Sequence, residues 1–178
     1  MDFTRRCFIL AALAQITATN GEALKTVPGF ASQSEMQHIL GSSQDLQGPE
    51  IPVYSKAFFP QAFIDRLCAH SPSKICEFYS ESTPSQVKTF RETTPLHTDS
   101  YVATKLPVVD ETVSFVFLND NPDAMFVHGE QEIAVEAGKL VTFNGNVPHN
   151  TVVLKGFVQM AGPFGSETLE LSKLGQIV

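Results

Sequence analysis

The sequence predicts a mainly β fold, a double-stranded β-helix of the jelly-roll or cupin-like kind with an N-terminal helical flank. Three observations lead there. From Gln86 onward the apolar residues follow the period of strands, not of helices. The turn signals NDNPD, HGE, EAG, NGNVP and KG cut that stretch into short pieces. A single helical region precedes the strands, and about eight short strands after one helical region fit a jelly roll.

The chain divides into three parts. Residues 1–21 have the layout of a cleaved signal peptide: Arg5 and Arg6, then the apolar FILAALA from Phe8 to Ala14, then the small polar Thr19, Asn20 and Gly21. TRRCFIL is also similar to a twin-arginine export signal. The apolar run is too short for a typical membrane span, and no other segment is long and apolar enough. The expectation is an exported protein whose mature chain starts near Gly21 or Glu22 and carries no membrane span. Residues 22–52, rich in Ser, Gln and Gly, form an N-terminal extension expected to pack loosely. A short helix is predicted over Ser34–Leu40, with Ser34 as N-cap and Gly41 just past its end. Residues 53–178 form the barrel domain.

Its lead-in, VYSKAFFPQAFIDRLCAHSP, reads as helical. Pro60 opens the helix, Phe63, Ile64, Leu67 and Cys68 recur at helical spacing, and Pro72 closes it. KICEFYS is a strand or short helix. Strands are then predicted at Gln86–Phe90, Tyr101–Ala103, Thr112–Leu118, Met125–His128, Gln131–Val135, Lys139–Phe143, Thr151–Leu154 and Phe157–Ala161. In QEIAVE, Ile133 and Val135 alternate with polar or small neighbours, as a half-buried strand should. TVSFVFL is apolar on both faces, the pattern of a strand covered on both sides.

Composition narrows the function. The formal charge is −7 and there is no basic run, which excludes a nucleic-acid partner that must be held through clustered Lys and Arg. Fourteen Phe and no Trp point to a core of Phe and β-branched residues. Of three cysteines, Cys7 lies in the leader, while Cys68 and Cys76 form an even pair in an oxidising compartment, either bonded or as two thiols.

The chemistry rests on histidines. His38 and His70 sit in helical segments without an acidic or thiol partner at ligand spacing and read as surface residues. His128 precedes Gly129 in a hairpin turn and reads as structural. His97 and His149 differ. His97-Thr98-Asp99 places two ligands at i and i+2, which on a strand point to one face. His149 follows a Gly-containing turn and precedes a strand. Two imidazoles and a carboxylate on one face hold a divalent ion and leave the opposite positions open, as non-haem Fe(II) needs for a cosubstrate and O₂.

The stretch PLHTDSY followed by VSFVFLNDNPDAMFVHGEQEIAVEAGKLVTFNGNVPHNTVVLKG resembles the Fe(II)- and 2-oxoglutarate-dependent dioxygenases, most of all their prolyl-4-hydroxylase branch. FVFLND looks like the family's "YLND" turn and GKLVTF like its "G-x-L-V-x-F" strand. The likeness covers roughly residues 50 to 165. It implies a metal triad of His97, Asp99 and His149, an Fe(II) cofactor, 2-oxoglutarate as cosubstrate, and hydroxylation of a C–H bond with release of succinate and CO₂. The substrate, a small molecule or a peptidyl residue, is not legible. One departure stands out. The family holds the far carboxylate of 2-oxoglutarate with an Arg or Lys on the strand after the distal His. Here that position falls on Val158, next to Gln159, and Lys155 lies in the turn before it. Arg91 and Lys105 are the basic residues nearest the H-x-D strand that could substitute. Two other readings stay open: a degenerate barrel that only binds metal, ligand or partner, and a cupin-type metalloenzyme that does not use 2-oxoglutarate, although cupins more often offer H-x-H plus Glu.

Overall fold

A computed structural model describes residues 24–45, 53–70, 85–98 and 112–164. Strands there are β1 (Lys25–Val27), β2 (Gln44–Asp45), β3 (Val53–Ala57), β4 (Ser85–Phe90), β5 (Thr112–Phe117), β6 (Asn121–His128), β7 (Gln131–Val135), β8 (Leu140–Asn144), β9 (His149–Val153) and β10 (Val158–Phe164). Two helices accompany them, α1 (Gln33–Gly41) and α2 (Gln61–His70). The strands form a seven-stranded sheet in the order β1-β8-β5-β10-β4-β3-β2 and a three-stranded sheet in the order β7-β6-β9. Every pairing is antiparallel. The mainly β jelly-roll architecture read from the sequence is therefore the fold.

Alternation along each strand sorts the apolar residues onto two faces. In β5, Val113, Phe115 and Phe117 point into one core and Val116 into another, so the strand is buried throughout, as its two-sided apolar pattern requires. The inner core lies between the two sheets. It joins Phe90, Val113, Phe115, Val141, Phe143 and Met160 of the large sheet to Phe126, Val135 and Val153 of the small one. The outer core covers the opposite face of the large sheet, where Phe30, Ile39, Phe59, Phe63 and Leu67 meet Val87, Val116, Leu140 and Phe164.

Several elements depart from the sequence reading. The expectation of a loosely packed extension is corrected: Ile39 is fully buried, Phe30 and Ala31 are nearly so, and β1 pairs with β8. The cap of α1 is Ser32, not Ser34. Its side chain accepts from the Glu35 N–H, and Glu35 returns a bond to the Ser32 N–H at 2.9 Å, a complete capping box. Val53–Ala57 is a strand, not helix, because it pairs with β4 along its whole length. The helical pattern begins only at Pro60, whose carbonyl accepts from Phe63 and Ile64 N–H.

The Asn119-Asp120-Asn121 turn has a clear structural role. Asn119 Oδ1 accepts from Gln159 N–H at 2.7 Å, and Asn121 Nδ2 donates to the carbonyls of Lys155 and Phe157. Asp120 Oδ1 accepts from Ala137 N–H at 2.8 Å. The turn thus ties the β9–β10 connection and the β7–β8 connection to the end of β5.

Cys68 is disulfide-bonded. The leader (residues 1–21), KICEFYS with Cys76, and the Tyr101–Ala103 strand lie outside the described residues. Among the described residues no helix is long and apolar enough to cross a membrane.

Candidate metal centre

His149 opens β9 and points into the inner core with 3% exposure, beside Phe126 and Phe143. His97 belongs to no strand, yet it forms an isolated antiparallel bridge with His149. His97 N–H donates to His149 O at 3.0 Å and His149 N–H to His97 O at 2.8 Å. The two imidazole centroids lie 4.5 Å apart with planes inclined by 58°. Residues 52 positions apart in the sequence are thereby brought side by side.

Each ring is held the same way. His97 Nδ1 lies 2.9 Å from Pro95 O and His149 Nδ1 lies 2.8 Å from Val147 O. A carbonyl oxygen can only accept, so in the neutral ring the proton resides on Nδ1 and the lone pair on Nε2. A backbone carbonyl that fixes the tautomer of an imidazole is the usual outer support of a metal-binding histidine. The spacing also suits one ion. With metal–nitrogen bonds of about 2.1 Å and a right angle between them, two ring centroids stand about 4.5 Å apart. Among the described residues no three His, Cys, Asp or Glu gather around one point. Asp99, the remaining member of the triad expected from the sequence, lies outside the described residues.

Both histidines line a cavity of about 500 Å³ in the mouth of the barrel. Its apolar wall is Phe90, Val113, Phe115, Phe126, Phe143 and Met160. Its polar groups include Lys88, Glu92, Asn150 and Thr151. A volume of that size admits a small organic acid with part of a larger substrate.

Among the described residues the Lys or Arg that lines this cavity is Lys88, which sequence reading passed over. It lies on β4 directly opposite Met160 of β10. Its cavity-facing direction follows from strand alternation with Phe90, a signal present in QVKTF once the inward face is known. Arg91, proposed from the sequence, is placed elsewhere: it is exposed, and its guanidinium stacks over the Phe157 ring at 5.7 Å. Lys105 lies outside the described residues. Val158 is fully buried in the inner core, and Gln159 donates to Thr89 Oγ1 at 3.4 Å. Lys155 is an exposed turn residue.

His128 ends β6 and is buried. Its Nε2 donates to Asn144 O at 3.0 Å, and its ring packs on Phe126 and against Phe143. Burial lowers its pKa, and the neighbouring His149 adds to this against the bond to Asn144. A neutral ring with Nε2 committed to a carbonyl is a packing residue. His38 and His70 are both exposed, His70 with its ring edge on Phe30.

No protein-family profile matches the chain, and no curated protein is significantly similar to it. Solved structures do resemble it in fold. One is HygX from Streptomyces hygroscopicus with nickel and 2-oxoglutarate bound, 10% identical, TM-score 0.45, covering 80% of this chain and 81% of that one. Another is a prolyl hydroxylase from Trichoplax adhaerens in complex with a hypoxia inducible factor oxygen degradation domain peptide, 13% identical, TM-score 0.46, covering 84% and 86%.

Proposed function

We propose that the chain is a non-haem Fe(II) oxygenase that uses 2-oxoglutarate to hydroxylate a C–H bond. The observation that carries this reading is the His97–His149 pair: two imidazoles locked in the same tautomer, side by side, at the wall of an apolar cavity. Asp99, two residues beyond His97 in the sequence, is the residue assigned to supply the carboxylate. When bound, Fe(II) with 2-oxoglutarate and O₂ supplies the oxidising power, and R–H, O₂ and 2-oxoglutarate become R–OH, succinate and CO₂.

The protein's share is binding, orientation and exclusion of water. His97 and His149 present Nε2, because Pro95 and Val147 carbonyls hold the opposite ring nitrogens. Lys88 supplies the cation for the far carboxylate of the cosubstrate, one strand over from the position occupied by Val158. The Phe and Met wall keeps water from the reacting centre, which strengthens every charge interaction inside it. Glu92, Thr93 and Asn150 line the cavity beside the histidines and are the groups a substrate meets.

The test is anaerobic Fe(II) titration followed by 2-oxoglutarate, watching for the weak visible charge-transfer band of the chelate. Wild type should develop it. His97→Ala, Asp99→Ala and His149→Ala should each lose tight Fe(II) binding. Fe(II) uptake by His149→Ala equal to wild type would remove the triad. Fe(II) binding without any response to 2-oxoglutarate would leave a metal-binding barrel or a cupin-type enzyme.

A further inference from the structure

The His97–His149 bridge sets a register in which residue 95 should face Thr151 and residue 93 should face Val153. In a regular antiparallel ladder residue 95 would exchange both backbone hydrogen bonds with Thr151. Pro95 has no N–H to give. The chain makes other bonds instead. Thr94 N–H donates to Thr151 O at 2.9 Å, and Thr94 Oγ1 accepts from Thr151 N–H at 2.9 Å. Thr93 Oγ1 accepts from Val153 N–H at 3.0 Å. Asn150 Nδ2 donates to Thr94 O at 3.2 Å. Two side-chain hydroxyls thus stand where backbone carbonyls would stand in a strand. The Pro95 carbonyl, which a regular ladder would commit to Thr151 N–H, meets His97 Nδ1 instead.

We infer that Thr93 and Thr94 are positioning residues for His97: their hydroxyls take over the β9 ladder at Pro95 and leave the Pro95 carbonyl to hold the Nδ1 proton. His97 needs such support because, unlike His149, it is exposed and lies outside any strand. His149 is packed between Phe126 and Phe143, while among the described residues the ring beside His97 is that of His149 itself. The consequence for an ion rests on the metal reading above. The consequence for the ring does not, since the tautomer is set before any ion arrives.

The experiment separates the two. The full chain, labelled with ¹⁵N and stripped of metal, is examined in alkaline buffer by long-range ¹H–¹⁵N correlation, which distinguishes the two imidazole tautomers. Wild-type His97 should show the Nδ1–H pattern. Thr94→Val keeps the shape and loses the hydroxyl, so His97 should shift toward the mixed pattern of an unrestrained imidazole. His149, held by Val147 on a different segment, should not change and serves as the internal reference. Thr94→Ser should restore the wild-type pattern. In a parallel Co(II) titration Thr94→Val should weaken binding by on the order of tenfold and Thr94→Ser should recover it, as for other outer-shell supports. A Thr94→Val protein with the His97 pattern unchanged overturns the inference, and so does a wild type lacking the Nδ1–H pattern. If Thr94→Val does not fold, Thr93→Val takes its place under the same criterion. If the tautomer responds as expected but wild type takes up no Co(II), the metal reading falls and the positioning role stands.

Discussion

Lys88 sits two residues before Phe90 on β4, and both side chains line the cavity that His97 and His149 share. A dicarboxylic cosubstrate chelated at one end leaves its other carboxylate against a wall of Phe and Met. An unpaired buried carboxylate costs several kcal/mol, on the order of a full loss of binding, so a cation must meet it. Replacing Lys88 with Ala should raise the 2-oxoglutarate requirement by on the order of a hundredfold, since a buried charged hydrogen bond contributes about 3 kcal/mol. Fe(II) affinity should hold. Arg91→Ala, whose guanidinium lies over Phe157 at the surface, should leave 2-oxoglutarate binding as it is. Titration of cosubstrate into the Fe(II)-loaded variants decides it, and the reverse ranking would return the anchor to Arg91. The difference between these two residues shows what a sequence can reveal at this scale. His97 stands out because an aspartate follows it at i+2, and His149 because it follows a Gly-containing turn and precedes a strand. Lys88 does not, because a lysine on a strand acquires meaning only when one knows which face looks inward and how wide the cavity is.

Whether a turn or a helix end is essential depends on what approaches it. Gly138 has φ +77°, and its carbonyl accepts from Ala31 N–H at 3.0 Å while its N–H donates to Phe117 O at 2.8 Å. A Cβ there would collide with the Ala31 carbonyl. Gly156 has nearly the same φ, +78°, but meets only the Asn121 side chain. Gly138→Ala should therefore destabilise by about 2–4 kcal/mol, adding a backbone clash to the left-handed penalty, and Gly156→Ala by about 1–2 kcal/mol. Urea denaturation of the pair measures this, and equal losses would show that the approach of Ala31 is not constraining. The join between α1 and α2 behaves differently. Arg66 Nη2 reaches both Glu35 oxygens at 2.7 Å and the Phe30 carbonyl at 3.3 Å. Burial of Glu35 opposes its ionisation, but the bonds from Arg66 and Ser32 outweigh that and hold its pKa below the ordinary 4.5. A depressed carboxylate stabilises the fold above its unfolded value, and that stability is lost as pH falls through the folded value. Glu35→Gln should thus cost about 1 kcal/mol at neutral pH, a modest figure because the Arg66 side chain is 41% exposed, and the gap to wild type should close below pH 4.5. A gap that persists in acid would point to lost packing instead. Among the described residues the strands between Gln86 and Ala161 were legible in outline, because their apolar residues follow the period of a strand or fill both of its faces. The strands β1, β2 and β3 were not: they are two to five residues long, and β3 is specified by its pairing with β4 rather than by its own composition.

The molecule as a whole is a barrel whose large sheet is buried on both faces, and only one of those faces is completed by the barrel itself. The inner core is closed by β6, β7 and β9. The outer core is closed by α2 together with Phe30, Ala31 and Ile39, which come from residues 24–45. Sequence composition separated this segment from the barrel because it is polar on average. A few apolar residues at the right places decide the matter instead, since Ile39 is fully buried and Phe30 stacks edge-on against Phe63 at 5.4 Å. Burying Phe30 and Ile39 contributes about 1.5–3 kcal/mol each. The β1–β8 ladder and the Glu35–Arg66 pair add to that. The sum, about 5 kcal/mol, is comparable with the roughly 5–15 kcal/mol that holds a typical domain together. A chain lacking residues 1–45 should accordingly lose its cooperative urea transition and expose the outer-core Phe cluster to a hydrophobic dye, although every residue assigned to metal and cosubstrate is still present. The milder variant Ile39→Val, which removes one methyl group at a cost of about 0.5–1.5 kcal/mol, should retain a cooperative transition at a lower midpoint. A truncated chain that unfolds cooperatively at the wild-type midpoint would mean that β1 and α1 only decorate the large sheet. The barrel would then hold the His97–His149 pair from the inner core alone.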